Sequence, residues 1–163
     1  MRNLLRFFLL SVSCILVITL ANADCVLLPA DQFLKIVGQP ASEFNLKTKG
    51  GQGCSWDWRT SKDVDYAHSS FKSINVNTEA IRSPMQWSVA RIMLKDQYKG
   101  TQIQGIGAEA WTAPGDQLWF LSRDKKRKVM VLYTEGGAAS HPVAVQDRIR
   151  KEICEAVDRN LRK

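Results

Sequence analysis

Residues Gly51 to Thr60 read GQGCSWDWRT. After the glycine-rich run, Cys54, Trp56 and Trp58 fall at every second position, with Ser55, Asp57 and Arg59 between them. A period of two belongs to a strand, whose successive side chains point to opposite faces. Gly53 to Arg59 is therefore expected to be a strand with one apolar and one polar face. A Trp-x-Trp pair on a strand can be a stacking platform for sugars or aromatic ligands, but it also suits a half-buried strand packed beneath a helix. Because each tryptophan buries a large area, the core role is preferred, with Trp58, nearer the strand end, the more exposed of the two. Cys54 has no activating neighbour that would mark a nucleophilic thiolate, so it is read as a disulfide or a buried thiol.

Working outward from this strand, the chain alternates helical and extended patterns. Upstream, LLPADQFLKIVG predicts a short helix with Pro29 at its first position. Phe33, Leu34 and Val37 form its buried stripe, and Gly38 followed by Pro40 ends it. Glu43 to Lys47 is expected to be a short strand, and KTKGGQG a turn. Downstream, TSKDVD is a polar turn and Tyr66 to Asn77 a second strand, with a bulge around Ser69–Phe71. Ser83-Pro84 opens a central helix, with Ser83 as N-cap and Gln86 three residues on. Trp87, Ala90, Leu94 and Tyr98 recur along it at helical spacing, and Gly100 closes it.

The second half repeats these elements. GIGAEAWTAPGD is a loop with a short strand at Ala110 to Ala113. Its G-x-G lacks the third glycine and the flanking strand and helix of a dinucleotide fingerprint, so it is read as a turn that sets Ala110 and Trp111 against the core. Gln117 to Arg123 and Val129 to Thr134 form a hairpin with DKKRK at its tip. Leu118 and Phe120 lie on one face, Trp119 and Leu121 on the other, which suggests a well-covered central pair. Ser140 is expected to cap a helix from Pro142 to Leu161, with Val145, Ile149, Ile153, Ala156 and Val157 inward. The order α-β-β-α-β-β-α points to an α+β fold, an antiparallel sheet of about four to five strands with helices packed on one face.

The N-terminus carries a compartment signal. Met1, Arg2 and Arg6 precede the apolar run Phe7 to Leu20, and Ala21-Asn22-Ala23 supplies small residues before Asp24. Residues 1–23 are thus read as a cleaved secretory signal, too short to remain as a membrane anchor, and residues 24–163 as one domain. Loss of Arg2 and Arg6 from 23 basic residues, against 16 acidic ones, leaves a net charge near +5. That balance is not one-sided enough to imply nucleic acid, and export argues further against it. Cys14 leaves with the signal. Cys25, Cys54 and Cys154 then include one disulfide of undecided pairing and one remaining thiol. The protein is expected to be periplasmic or secreted.

The residues that could carry chemistry are few. His68, in DYAHSSF, could be imagined beside Ser69 or Ser70 and Asp63 or Asp65, but adjacent strand residues point to opposite faces, so His68 is poorly placed to activate Ser69. His141 precedes a proline at a helix start and reads as an ordinary capping-region residue. No metal-ligand spacing occurs, and no cofactor is expected. The densest charge feature is Arg123, Lys125, Lys126, Arg127 and Lys128. It is either a solvated hairpin tip or a contact for an acidic protein, an anionic glycan or lipid headgroups.

Several short motifs share one pattern. A cysteine stands before a first helix ending Val37-Gly38, followed by Cys54-x-Trp56, a central helix, the loop Gly105-Ile106-Gly107-Ala108-Glu109-Ala110, and Cys154 in the closing helix. In outline this resembles small secreted or lipid-anchored bacterial domains of unknown function, best populated in actinobacteria, and is similar to the extracellular sensor domain of certain mycobacterial serine/threonine kinases. It departs from them in having no lipidation site and an odd number of cysteines. The resemblance implies an α+β envelope domain that binds rather than converts, and it supplies no catalytic residue. The leading expectation is a non-enzymatic binding, inhibitor or immunity-type protein whose partner is another protein, met through Trp58, Arg59 and the 123–128 hairpin. The alternatives are a small envelope-polymer hydrolase using His68, with Asp57 or Asp65 as its partner, and a ligand-sensing module.

Overall fold

A computed structural model describes residues 25–38, 44–49, 53–59, 71–137 and 140–163, with the backbone alone at 44–49 and 58–59. The opening stretch is strand β2, Gly53–Arg59. It lies between β1, Phe44–Lys49, and β3, Phe71–Ala80. The second half supplies β4, Gln102–Ile103, β5, Glu109–Ala113, β6, Gln117–Leu121, and β7, Arg127–Gly136. All pairings are antiparallel, in the order β1-β2-β3-β7-β6-β5-β4. Two meanders are thus joined where β3 and β7 run side by side at the centre.

The α+β class and antiparallel sheet are as expected, but among the described residues the sheet has seven strands rather than four to five. The strand at Gln102–Ile103 has no sequence signature, because two residues carry no period. The expected bulge at Ser69–Phe71 and the start of the second strand at Tyr66 fall largely on residues outside those described.

Helix α1 runs Ala30–Val37 and ends where Gly38 takes φ 72°, its N–H donating to the Leu34 carbonyl at 2.8 Å. Glycine reaches this left-handed conformation at no steric cost. Helix α3 spans Val143–Asn160 and buries Ile149, Ile153, Ala156 and Val157. Ser140 does not cap it. Pro142 holds the N-cap position, and the Ser140 hydroxyl donates instead to the Gly137 carbonyl at 2.7 Å. Both helices pack on the sheet face that carries Cys54, Trp56, Ile74, Val76, Val131, Tyr133, Leu118 and Phe120. Trp56 is buried there with its ring 4.5 Å from that of Phe33, so the core role preferred for it holds. Cys25 and Cys54 form the disulfide, which ties the segment before α1 to β2, and Cys154 is free and buried.

The helices do not all share one face. Helix α2, Pro84–Ile92, packs Trp87, Ala90 and Leu94 against Trp111 and Leu121, with Trp119 beside them. Trp119 and Leu121 alternate with Leu118 and Phe120, so α2 covers the opposite face at the β5–β6 end. The physical reason is legible on β6: a strand apolar on both sides needs cover on both.

Gln86 accepts from the Ser83 N–H at 3.3 Å and the Arg82 N–H at 2.6 Å, closing the N-terminus of α2. Its C-terminal continuation, Met93–Gln97, is a π turn, closed by Tyr98 N–H on the Met93 carbonyl at 3.0 Å. The additional residue of a π turn rotates the next side chains off the helical stripe. Tyr98 is therefore exposed rather than inward, contrary to its helical spacing.

Candidate functional site

Two regions concentrate chemistry. The first lies inside, where β3 and β7 meet the start of α3. Lys72 is 2% exposed and the Glu135 side chain 0% exposed. The two residues face each other across the β3–β7 pair. Glu135 accepts from the His141 backbone N–H at 2.7 Å and from the Tyr133 hydroxyl, and His141 Nδ1 lies 2.8 Å from its Oε1 and 3.4 Å from Lys72 Nζ. Burial pushes the Glu135 carboxyl up, but the donors on His141 and Tyr133 and the charge of Lys72 outweigh it and hold it below the ordinary glutamate value. Burial lowers the Lys72 ammonium, opposed in part by Glu135. Burial pushes the Tyr133 hydroxyl well up, assisted by its bond to Glu135. His141 is thus more than a capping-region residue. The partners in this cluster satisfy one another, which is the arrangement of a structural network. His68 lies outside the described residues.

The second region is outward. Helix α2 is apolar on two opposite sides. Trp87, Ala90 and Leu94 turn inward, while Met85, Val89 and Ile92 turn outward with exposures of 72%, 60% and 56%. Their i, i+4, i+7 spacing places them in one ridge.

Beneath α2, the Glu109 carboxylate accepts from two indoles. Trp87 Nε1 donates to Oε2 and Trp111 Nε1 to Oε1, both at 2.8 Å. This clasp fixes the helix to β5. Glu109 reaches it because the preceding loop turns sharply at Gly107, where φ is +57°. A Cβ at that glycine would collide with the Leu121 carbonyl oxygen. The turn expected here sets Ala110 and Trp111 against the core, and both are buried.

One flank of α2 borders a groove in two parts. The part toward the C-terminus, about 660 Å³, is bordered by Arg91, Lys95 and Gln102. The part toward the N-terminus, about 420 Å³, is bordered by Arg82, Pro84 and Lys125. They meet at Ala108 and Glu109, which line both.

No family model, curated protein or solved structure matches the chain. Its function must therefore be read from its surface. Among the described residues, no group of three or more metal-ligating side chains occurs, and no helix is long and apolar enough to cross a membrane.

The residues singled out in the sequence are dispersed. Trp58 pairs with Lys72 and Arg59 with Phe71 at one end of β3, whereas Arg127 pairs with Ala80 at the other. Phe71 and Ala80 stand nine positions apart, roughly 30 Å along the strand, so Trp58 and Arg59 cannot form one small patch with the hairpin tip. The side chains of Trp58 and Arg59 lie outside the description.

Within the tip, Arg123 Nε bonds the buried Asp158 at 3.2 Å, which ties the turn to α3. Lys128 pairs with Glu79 at 2.8 Å and lies 5.3 Å from the centre of the Trp119 ring. Lys125, Lys126 and Arg127 are exposed and, among the described residues, make no salt bridge. The tip also borders the segment between β3 and α2: the Ile81 N–H donates to the Lys126 carbonyl at 2.7 Å, one step beyond the Ala80–Arg127 pair. The outward ridge is not among the residues expected from sequence, although Met85, Val89 and Ile92 carry a spacing as regular as that of the inward stripe.

Proposed function

We propose that the chain is an exported, non-enzymatic binding protein of the inhibitor or immunity type. It acts through protein–protein contact, with the outer side of α2 as its docking element. The observation that carries this reading is the ridge Met85, Val89 and Ile92, apolar and exposed on a helix whose other side is already fully packed. Helices that bind in a partner's groove use anchors at this spacing. The disulfide favours an oxidising compartment outside the cytoplasm.

Charge indicates the kind of partner. Arg82, Arg91, Lys95 and Lys125 are exposed along one flank of α2. Against these four cations the same lining holds two carboxylates, Glu109, bound by two indoles, and Asp96, while Asp124 is exposed on the neighbouring hairpin tip. A second copy would bring two basic rims together, so the occupant is a different protein with an apolar groove and an acidic rim.

A photo-crosslinking amino acid at Val89, in protein expressed in its source cells, tests this. A discrete protein adduct is expected from Val89 and not from the same group at Lys151 on α3. It should disappear when Met85 and Ile92 are both changed to serine while the melting temperature is retained. Equal adducts from both positions, lipid adducts only, a self-adduct, or none at all would overturn the proposal.

A further inference from the structure

We infer that the groove beside α2 receives an extended acidic segment of the partner, with apolar side chains between its carboxylates. This rests on the reading of α2 as a docking element and names what the flank, rather than the ridge, recognises. The two parts of the groove share Ala108 and Glu109 in their lining, and together they run along α2 and the π turn from about Ser83 to Lys95. Twelve residues at the helical rise give a run of roughly 18 Å, which matches five or six residues of extended chain.

Cations stand at both ends, Arg82 and Lys125 at one and Arg91 and Lys95 at the other. None of the four makes a salt bridge among the described residues, so their charge is directed at solvent or a ligand. Glu109, at the middle, has both oxygens engaged by indole N–H groups, and Asp96 is the other carboxylate on the wall.

The floor decides between classes of anion. Near the N-terminal end, Ile81, Pro84 and Leu121 offer apolar surface between the cations. A polyanionic glycan offers only the C–H faces of its rings to that surface, less apolar than aliphatic side chains, and a bilayer is too flat to enter between a helix and a loop. A peptide alternating carboxylates with aliphatic side chains satisfies both features. Arginine at both ends favours carboxylate recognition through its planar pairs of donors.

The π turn adds an independent reason to look here. Such turns are rare and occur often at functional sites. This one places Lys95 and Asp96 on the groove wall.

The test uses ¹⁵N-labelled protein from residue 24 onward, folded with its disulfide. It is titrated with an end-capped eight-residue peptide of alternating glutamate and leucine. The side-chain N–H resonances of Trp87 and Trp111 report directly, since both indoles sit on Glu109 at the groove. Saturable shifts at these two resonances are expected, weakening as salt is raised. A peptide alternating lysine and leucine should give none. Changing Arg91 and Lys95 together to glutamate should weaken the acidic peptide by about tenfold or more, since each charge reversal replaces an attraction by a repulsion. Changing Met85 and Val89 to serine should leave the titration as it is. No shift, equal shifts with both peptides, or saturation by heparin in place of the peptide would overturn the groove assignment. The Val89 cross-link would be unaffected by any of these, so failure of the groove and failure of the docking helix are told apart.

Discussion

Replacing Glu109 by leucine removes the carboxylate that two indole N–H groups share beneath α2, and it leaves both donors without their acceptor at the edge of the groove. Each bond is 2.8 Å long and has a charged acceptor. Bonds of this kind contribute roughly 1.5–3 kcal/mol each when only one partner is deleted. Trp87 and Trp111 are buried, but Glu109 lines both parts of the groove, so water reaches the freed N–H groups and offsets part of the loss. The expected cost is about 1.5–3 kcal/mol, a drop in melting temperature of roughly 5–10 °C for a chain of this size. Urea unfolding at fixed pH checks it, with the midpoint lowered and the slope unchanged. Glu109→Gln should fall roughly midway, because its carbonyl oxygen serves one indole while its amide nitrogen confronts the other. The attribution is checked by a double-mutant cycle. Trp111→Phe in the Glu109→Leu background should cost about 1–3 kcal/mol less than in the native chain, since its bond is already gone. Hydrogen exchange should locate the loosening in α2 and not in β2 or β3. If Glu109→Leu unfolds within about 0.5 kcal/mol of the native protein, the clasp does not hold the helix, and the account of how the docking surface is positioned fails with it.

Two further outcomes are expected from other parts of the molecule. Reducing the Cys25–Cys54 bond frees a loop with a sequence separation of 29 and should cost about 3–4 kcal/mol by loop-closure entropy, read as a lowered urea midpoint after thiol treatment. The Glu135 carboxyl is held below its unfolded value, so its contribution is fully present above the ordinary glutamate range and is lost as pH falls through the depressed folded value. Glu135→Gln should therefore destabilise at pH 7 and flatten the fall in unfolding free energy between about pH 5 and 3. An equally steep acid limb in the variant would show that other carboxylates control it.

Much of the fold is legible in the sequence because local signals agree. The period of two in Cys54, Trp56 and the residues between them marks the bounds of β2, and Pro29 and Gly38 frame α1 closely. The capping function of Gln86 is visible three residues after Ser83. The failures are equally physical. The π turn has no periodic signature, so Tyr98 falls, in sequence, on a stripe that the added residue breaks. Lys72 is buried opposite Glu135, 63 positions later in the chain, across β3–β7, a long-range pairing that no local pattern announces. The disulfide partner of Cys25 depends on α1 packing over β2, which Phe33 against Trp56 brings about. The double-sided β6 does carry a usable signal: Trp119 and Leu121 require a cover that helices on one face cannot provide.

The same reasoning separates stability from recognition in α2. Its inward side contributes Trp87, Ala90 and Leu94 to a packed cluster, and its hold on the sheet passes through Glu109. Met85, Val89 and Ile92 add nothing to that cluster. An apolar ridge is ordinarily selected against on an exposed helix because it promotes association. Polar residues there would fold as well, since surface substitutions away from caps and packed sites change stability little. Three exposed aliphatic side chains at helical spacing, beside a groove with cations at both ends, are what the proposed docking role needs, and a partner with acidic groups would match the charge of that flank.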